Sequence, residues 1–232
     1  MNKTIIRGRA PLRLGLAGGG TDLNEIFEKY GGAVINATID KYIHMQIQKT
    51  KNKTSVNGKN PDQLTNELLK RLGAKNIEII TWCEVPWGRG LGSSSSYSVL
   101  LAKLVTQIQG KKISDKELAE LVYGVENSLG KCGWQDQYAA IKGGFSWMYF
   151  DKYDKIIYSL RIHPEIIKNL EEHLCLVYSG ITHISGMVQA SKQEMSEDNA
   201  KKLIDIAIKA RDCLFNDNIE LFGKILEKGW EL

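Results

Sequence analysis

The run Pro86-Trp87-Gly88-Arg89-Gly90-Leu91-Gly92-Ser93-Ser94-Ser95-Ser96 places serines directly behind alternate glycines. Glycine reaches positive φ and lets a ligand approach the backbone closely. Serines at a helix start can cap its free N–H groups. A glycine loop feeding a helix N-terminus is an anion site, most often for phosphate. Backbone N–H groups from Gly90 to Ser95 can form a nest around polyphosphate oxygens. A serine hydroxyl there can also ligate Mg²⁺, a hard cation that takes oxygen. The plainer reading is a flexible loop capped by its serines, but the run holds more glycines and serines than a cap needs. It is not a Walker A loop, because no Gly-Lys-Ser/Thr follows the glycines. Nor is it a dinucleotide fingerprint, which needs Gly-x-Gly-x-x-Gly after the first strand.

Two further constellations carry reactive groups. Arg13 stands inside an apolar strand pattern, where its charge is costly unless it meets an anion. Gly18-Gly19-Gly20-Thr21-Asp22 follows and offers a carboxylate where a small ligand can come close. Asp22 either accepts from sugar hydroxyls or caps the next helix, and Arg13 either meets a ligand or forms a salt bridge. Farther on, Glu126 lies late in a helical pattern, and Asp136 stands between Gln135 and Gln137. The two carboxylates can meet, one holding Mg²⁺ and one facing a substrate hydroxyl. Otherwise Glu126 is a solvated helix carboxylate and Asp136 a helix cap. Phosphoryl transfer needs in-line positioning, neutralised phosphate charge and a residue that orients the nucleophile. A helix N-terminus, Mg²⁺, Arg13 and Asp136 would supply those parts.

The elements that must position these groups follow from periodicity and turn residues. Strands are expected at 4–9 and 13–17, around Ala10-Pro11, and as a pair at 33–38 and 42–48. Thr21 or Asp22 caps a helix at 23–29, which Gly31-Gly32 ends. Leu64, Leu68, Leu69 and Leu72 share one face of a helix at 63–72. A strand at 77–82 precedes the glycine-serine loop, and a buried helix at 97–108 follows it. Ser114-Asp115-Lys116-Glu117 is a capping box for a helix at 115–128. A strand at 145–150 turns back at 156–160, and another strand is expected at 173–178. Two helices close the chain, with Leu203, Ala207, Ala210 and Leu214 on one face, and Ile219, Phe222, Leu226 and Trp230 on the next.

The 232 residues carry 31 basic and 27 acidic side chains, a net charge of +4 too small and scattered for nucleic-acid binding. Lys49-Thr50-Lys51-Asn52-Lys53 reads as a solvated hairpin tip. Cys83, Cys132, Cys175 and Cys213 lack zinc spacing and read as reduced core cysteines, with Cys132 the candidate for exposure. His44, His163 and His173 suit neither a triad nor a metal site. His183, in a loop, can touch substrate but reads better as a surface or capping residue. No apolar window reaches the about 18 residues of a membrane span. With no room for a signal peptide, a cytoplasmic protein is expected.

The segment 86–96 resembles the phosphate loop of the GHMP small-molecule kinases, in the form Pro-x-Gly-x-Gly-Leu-Gly-Ser-Ser-Ser. The run from Ala10 to Asp22 resembles that family's first motif. Its Gly-Gly-Gly-Thr-Asp ending, with Gln135-Asp136-Gln137-Tyr138-Ala139-Ala140 and Gly143-Gly144-Phe145, is similar to the sugar-kinase branch of heptose 7-phosphate kinases and fucokinase-like proteins. The resemblance covers residues 5–232 and is weakest at 49–75.

It implies an α+β, two-domain fold: a ribosomal protein S5 domain 2-like N-terminal domain at 1–158, and part of a ferredoxin-like C-terminal domain at 159–232. It implies ATP and Mg²⁺ as cofactors, a sugar or sugar phosphate as partner, and a homodimer as one possible assembly. Asp136 matches the catalytic aspartate, and Arg13 the basic residue beside the transferring phosphoryl group. Pro86, Gly88, Gly90, Leu91, Gly92, Ser93, Ser94 and Ser95 match the ATP loop. Ser94 and Glu126 match the metal ligands, and Gly19, Gly20, Thr21 and Asp22 the acceptor turn. Trp134, where the branch differs, is expected to reshape the sugar pocket. The family's third glycine-rich motif is absent, so the C-terminal domain is expected to be incomplete.

The implied reaction is ATP-dependent phosphorylation of a sugar hydroxyl, the anomeric one of D-glycero-D-manno-heptose 7-phosphate. The alternatives are a fucokinase- or galactokinase-like enzyme for another sugar, and a non-catalytic sugar- or nucleotide-binding relative.

Overall fold

The computed structural model describes residues 4–130, 132–178, 180 and 195–232; His183 lies outside them. Two long strands organise the sheet. β1 (Ile5–Ala17) and β2 (Gly32–Lys49) pair antiparallel along their length. Their Ile, Val, Thr and Tyr residues suit a pleated, half-buried surface. Between them lie the glycine turn and α1 (Asn24–Tyr30), which ends at Gly31 with φ 78°.

The four short strands expected here are two long ones. Segments 33–38 and 42–48 do not pair with each other, because no residue between them turns at positive φ. Instead the register steps from Pro11↔Tyr42 to Arg13↔Thr38, an irregularity that bends β2 without reversing it.

The other edge of β2 is shared. β4 (Ile77–Cys83) pairs along its second half and β5 (Phe145–Phe150) along its first. β6 (Lys155–Leu160) extends the sheet beyond β5. β3 (Ser55–Val56) lies parallel to β4. Lys49 therefore leads into an exposed loop toward β3, not into a hairpin.

Helices cover the sheet on both sides. α2 (Gln63–Arg71), α3 (Ser93–Ile108) and α4 (Asp115–Leu129) bury Leu68, Leu101 and Leu118 against Leu12, Ile43, Met45 and Ile79. Each such side chain contributes about 2 kcal/mol of burial. α4 opens with the expected capping box, in which Ser114 N donates to Glu117 Oε2 and Glu117 N to Ser114 Oγ. Val34, Met148 and Phe150 meet Ala119 of α4 and Tyr138 of α5 (Gln135–Lys142). Their strand neighbours Ala33, Ile35 and Trp147 point to the opposite face. There they pack on α7 (Glu197–Phe215) and α8 (Ile219–Trp230), through Ala207, Ala210, Leu214 and Phe222.

Other expectations fail locally. The strand expected at 173–178 is absent, because α6 (Pro164–His173) occupies its start, with Pro164 at the first helical turn. Trp230 shares a helical face with Phe222 yet is 92% exposed. Of the cysteines, Cys213 is buried, Cys83 and Cys132 are half-buried and Cys175 is exposed. No helix among the described residues is long and apolar enough to cross a membrane.

Candidate active site

β4 delivers the chain into the glycine loop, and the loop opens α3. Gly88, Gly90 and Gly92 have φ of 74°, 73° and 70°, the left-handed region that favours glycine. α3 starts at Ser93, four residues earlier than the apolar pattern suggests, so the serines form its first turn. They do not cap it. Gly92 is the N-cap, and among the described residues no side chain caps the first N–H groups, which leaves them directed at the loop. A helix end in that state attracts an anion through its N–H groups and its dipole.

The serine hydroxyls turn inward. Ser94 Oγ donates to Glu126 Oε1 at 2.9 Å and Ser95 Oγ to Oε2 at 2.7 Å. Ser98 Oγ reaches Oε1 at 3.3 Å, and Gln137 Nε2 reaches Oε2 at 2.7 Å. Glu126 is thus a buried carboxylate at the α3–α4 seam, not a solvated one, with a relative exposure of 9%. Burial pushes its pKa up against the bonds from Ser95, Gln137 and Ser94, and the charge of Asp136 adds to the rise.

Arg13 ties the loop to α5. Its backbone N–H donates to Leu91 O at 3.0 Å, and Nη1 donates to Gly90 O at 2.7 Å. Nε and Nη2 both lie 2.6 Å from Asp136 Oδ1. Burial opposes the guanidinium charge, but Asp136 outweighs it and the Arg13 pKa rises. Gly92 passes so close that a Cβ would lie 3.1 Å from Arg13 Cγ and 3.5 Å from Asp136 Cγ. Arg13, Asp136, Ser94 and Glu126 are therefore assembled around the loop mouth, although β1, α3, α4 and α5 supply them separately.

The glycine turn reads differently in three dimensions. Gly19 is exposed and Gly20 half-buried. Thr21 is fully buried, with its hydroxyl 2.7 Å from Gly18 O and 3.0 Å from Ala33 O, while accepting Ala33 N at 3.1 Å. It pins the turn to β2. Asp22 is 1% exposed and does not cap α1, whose N-cap is Leu23. Its oxygens accept Gly20 N, Gln135 N and Gln135 Nε2. Burial raises its pKa, opposed by the Gln135 N–H and assisted by the charge of Asp136.

Trp134 is also buried, at 5% exposure. Its ring stacks on Tyr123 with centroids 3.8 Å apart, and Nε1 donates to Asn24 Oδ1 at 2.8 Å. It packs in the aromatic cluster behind α5. Sequence reasoning missed Ser98, Gln135 and Gln137 as site residues. The glutamines flanking Asp136 were the available signal.

Residues 62–144 match the GHMP kinases N terminal domain, a stretch that includes the loop, Ser94, Glu126 and Asp136. The D-glycero-alpha-D-manno-heptose 7-phosphate kinase of Campylobacter jejuni is 33% identical over 97% of this chain and 76% of its own length. The chain belongs to the GHMP kinase family. A D-glycero-D-manno-heptose 1-phosphate kinase from Bacteriodes thetaiotaomicron superposes on this GHMP kinase with a TM-score of 0.80. It is 27% identical, and the match covers 98% of this chain and 78% of that one. The bifunctional fucokinase/GDP-fucose pyrophosphorylase of Arabidopsis thaliana is 28% identical over 67% of this chain and 16% of its own length. The expected GHMP kinase fold and the expected family are both found.

Proposed function

We propose that this ATP-dependent sugar kinase phosphorylates the anomeric hydroxyl of D-glycero-D-manno-heptose 7-phosphate. The observation that carries the reading is the Arg13–Asp136 pair at the mouth of the α3 loop, in a chain whose heptose-kinase relative matches nearly all of it. The Arabidopsis relative supports the alternative of a fucose-type acceptor only over a shorter stretch.

The first N–H groups of α3, with the 88–92 backbone, would hold the ATP phosphates. Arg13 would stand beside the transferring phosphoryl group. Asp136 uses Oδ1 for Arg13, and among the described residues no hydrogen bond reaches its Oδ2. Oδ2 would orient the acceptor hydroxyl and take its proton as the new O–P bond forms and ADP leaves. The transfer is largely positioning and electrostatics, so a carboxylate held by Arg13 suits it.

The donor set fits Mg²⁺. Ser94 Oγ and Glu126 Oε1 are both oxygens and lie 2.9 Å apart. Neighbouring ligands on an octahedral Mg²⁺ at 2.0–2.1 Å are about 3 Å apart. Ser94 and Glu126 would hold the ion, which when bound neutralises charge on the phosphate oxygens.

The test is ADP release with heptose 7-phosphate, heptose 1-phosphate, fucose and galactose as acceptors. The reading expects heptose 7-phosphate to exceed the others by at least about tenfold in kcat/KM. A preference for a free hexose would transfer the assignment to the alternative.

A further inference from the structure

Asp22 has no part in the steps above, yet it is 1% exposed and accepts three hydrogen bonds. Gly20 N lies 3.1 Å and Gln135 Nε2 3.3 Å from Oδ1, and Gln135 N lies 3.0 Å from Oδ2. Gly133 closes the remaining side. A Cβ there would sit 2.0 Å from Oδ2, so the backbone before α5 runs directly against the carboxylate. These contacts join two distant stretches. Gly20 belongs to the turn after β1. Gln135 opens α5 and is the immediate neighbour of Asp136.

α5 lacks a cap of its own. Trp134 takes the N-cap place at φ −91° and ψ −15°, and its side chain makes no capping bond. The free N–H groups of a helix start need acceptors. A carboxylate there also meets the positive end of the helix dipole. Asp22 supplies that acceptor from the far side of the sequence.

We propose that Asp22 is a positioning residue for phosphoryl transfer: it clamps the start of α5 to the glycine turn and so sets where Asp136 stands against Arg13. The inference deepens the kinase reading and rests on it. The same clamp fixes the Gln135 side chain, whose amide lies 3.3 Å and 3.8 Å from where Cβ atoms on Gly15 and Gly19 would be. Turn, helix start and reacting carboxylate then move as one piece. A misplacement of about 1 Å at a reacting group costs about 100-fold in rate.

Asp22→Asn keeps the volume but turns an amide N–H toward one of the present donors. The expected result is a fall of about 100-fold in kcat, with KM for ATP and sugar within about threefold. Amide exchange over 135–142 should rise about tenfold while 197–215 stays unchanged. Gly133→Ala displaces the clamp from the other side, so it should give the same pattern, and it carries the test if Asp22→Asn does not fold. A sugar KM raised tenfold at unchanged kcat would make Asp22 a substrate ligand and overturn the proposal. Unaltered exchange over 135–142 would overturn it too. Wild-type turnover in the same assay judges the kinase reading by itself, while the exchange data judge the clamp whether or not that reading stands.

Discussion

Arg13 places two of its nitrogens, Nε and Nη2, 2.6 Å from a single oxygen of Asp136. The fork thus closes on Oδ1 alone, and among the described residues Oδ2 stays unbonded, on the group that would face the acceptor. The third nitrogen, Nη1, holds Gly90 O at 2.7 Å. One side chain therefore fixes both the 88–92 loop and the Asp136 carboxylate.

Asp136→Ala should lower kcat by about 10²–10⁴-fold, the range for losing a residue that transfers a proton. The N–H groups proposed to hold ATP lie on α3 and are untouched, so nucleotide affinity should stay within about threefold. Calorimetry of ATP binding beside a turnover assay separates the two. Retained turnover would remove Asp136 from the reaction.

Arg13→Met should cost more stability than a surface charge. Arg13 and Asp136 have side-chain exposures of only 16% and 24%. Removing one partner of such a pair leaves the other charge uncompensated, at about 3 kcal/mol. Urea unfolding measures it. A loss below about 1 kcal/mol would place the pair with surface salt bridges.

Much of this arrangement is unreadable in the sequence. The loop and the α4 capping box are local: glycines and serines at fixed offsets announce them. Arg13 and Asp136 are far apart in the chain, and only packing brings β1 against α5. The serines look like caps because nothing in their spacing shows Glu126 waiting on another helix. Nor does the sequence show that Gln135 holds the Asp22 carboxylate, or that Asn24 and Tyr123 pack around Trp134. The long β2 reads as a hairpin because its Asp40-Lys41 stretch is polar, though its backbone stays extended.

Ser94→Ala and Ser98→Ala separate a metal ligand from a packing contact. Both hydroxyls bond Glu126, but Ser94 belongs to the first turn of α3, beside the loop, and Ser98 lies deeper. Ser94→Ala should raise the Mg²⁺ concentration for half-maximal rate by about tenfold. Ser98→Ala should change stability by about 1–2 kcal/mol with little effect on Mg²⁺. Mg²⁺ titrations of both variants check this, and equal shifts would argue against the assignment.

Gly92→Ala should damage activity more than Gly143→Ala. Both glycines have positive φ, 70° and 67°, and so share a backbone cost of about 1–2 kcal/mol. Only at Gly92 would the new Cβ press on Arg13, at 3.1 Å; nothing lies within 4 Å of one on Gly143. Melting temperatures should fall alike, while kcat should fall at least about tenfold for Gly92→Ala alone. Matching kcat values would show that the loop tolerates displacement of Arg13.

Burial raises the pKa of Glu126 against its bonds from Ser95, Gln137 and Ser94. Between the ordinary carboxylate pKa, about 4.3, and that raised value, the folded chain binds more protons than the unfolded one. Stability should therefore fall as pH rises through that window, by up to about 1.4 kcal/mol per pH unit, and level off above it. Glu126→Gln should flatten this part of the curve. Metal-free melts of both proteins across the window read the difference, and parallel curves would contradict it.

The most direct measurement follows the γ-phosphate itself by ³¹P NMR, with wild-type protein, ATP, Mg²⁺ and D-glycero-D-manno-heptose 7-phosphate. The expected result is a new phosphate on the anomeric carbon, one ADP for each sugar phosphorylated, and loss of both signals in Asp136→Ala. ATP hydrolysis without sugar phosphorylation, or undiminished transfer in Asp136→Ala, would contradict the assignment of Asp136 and Arg13 as the centre of a sugar kinase.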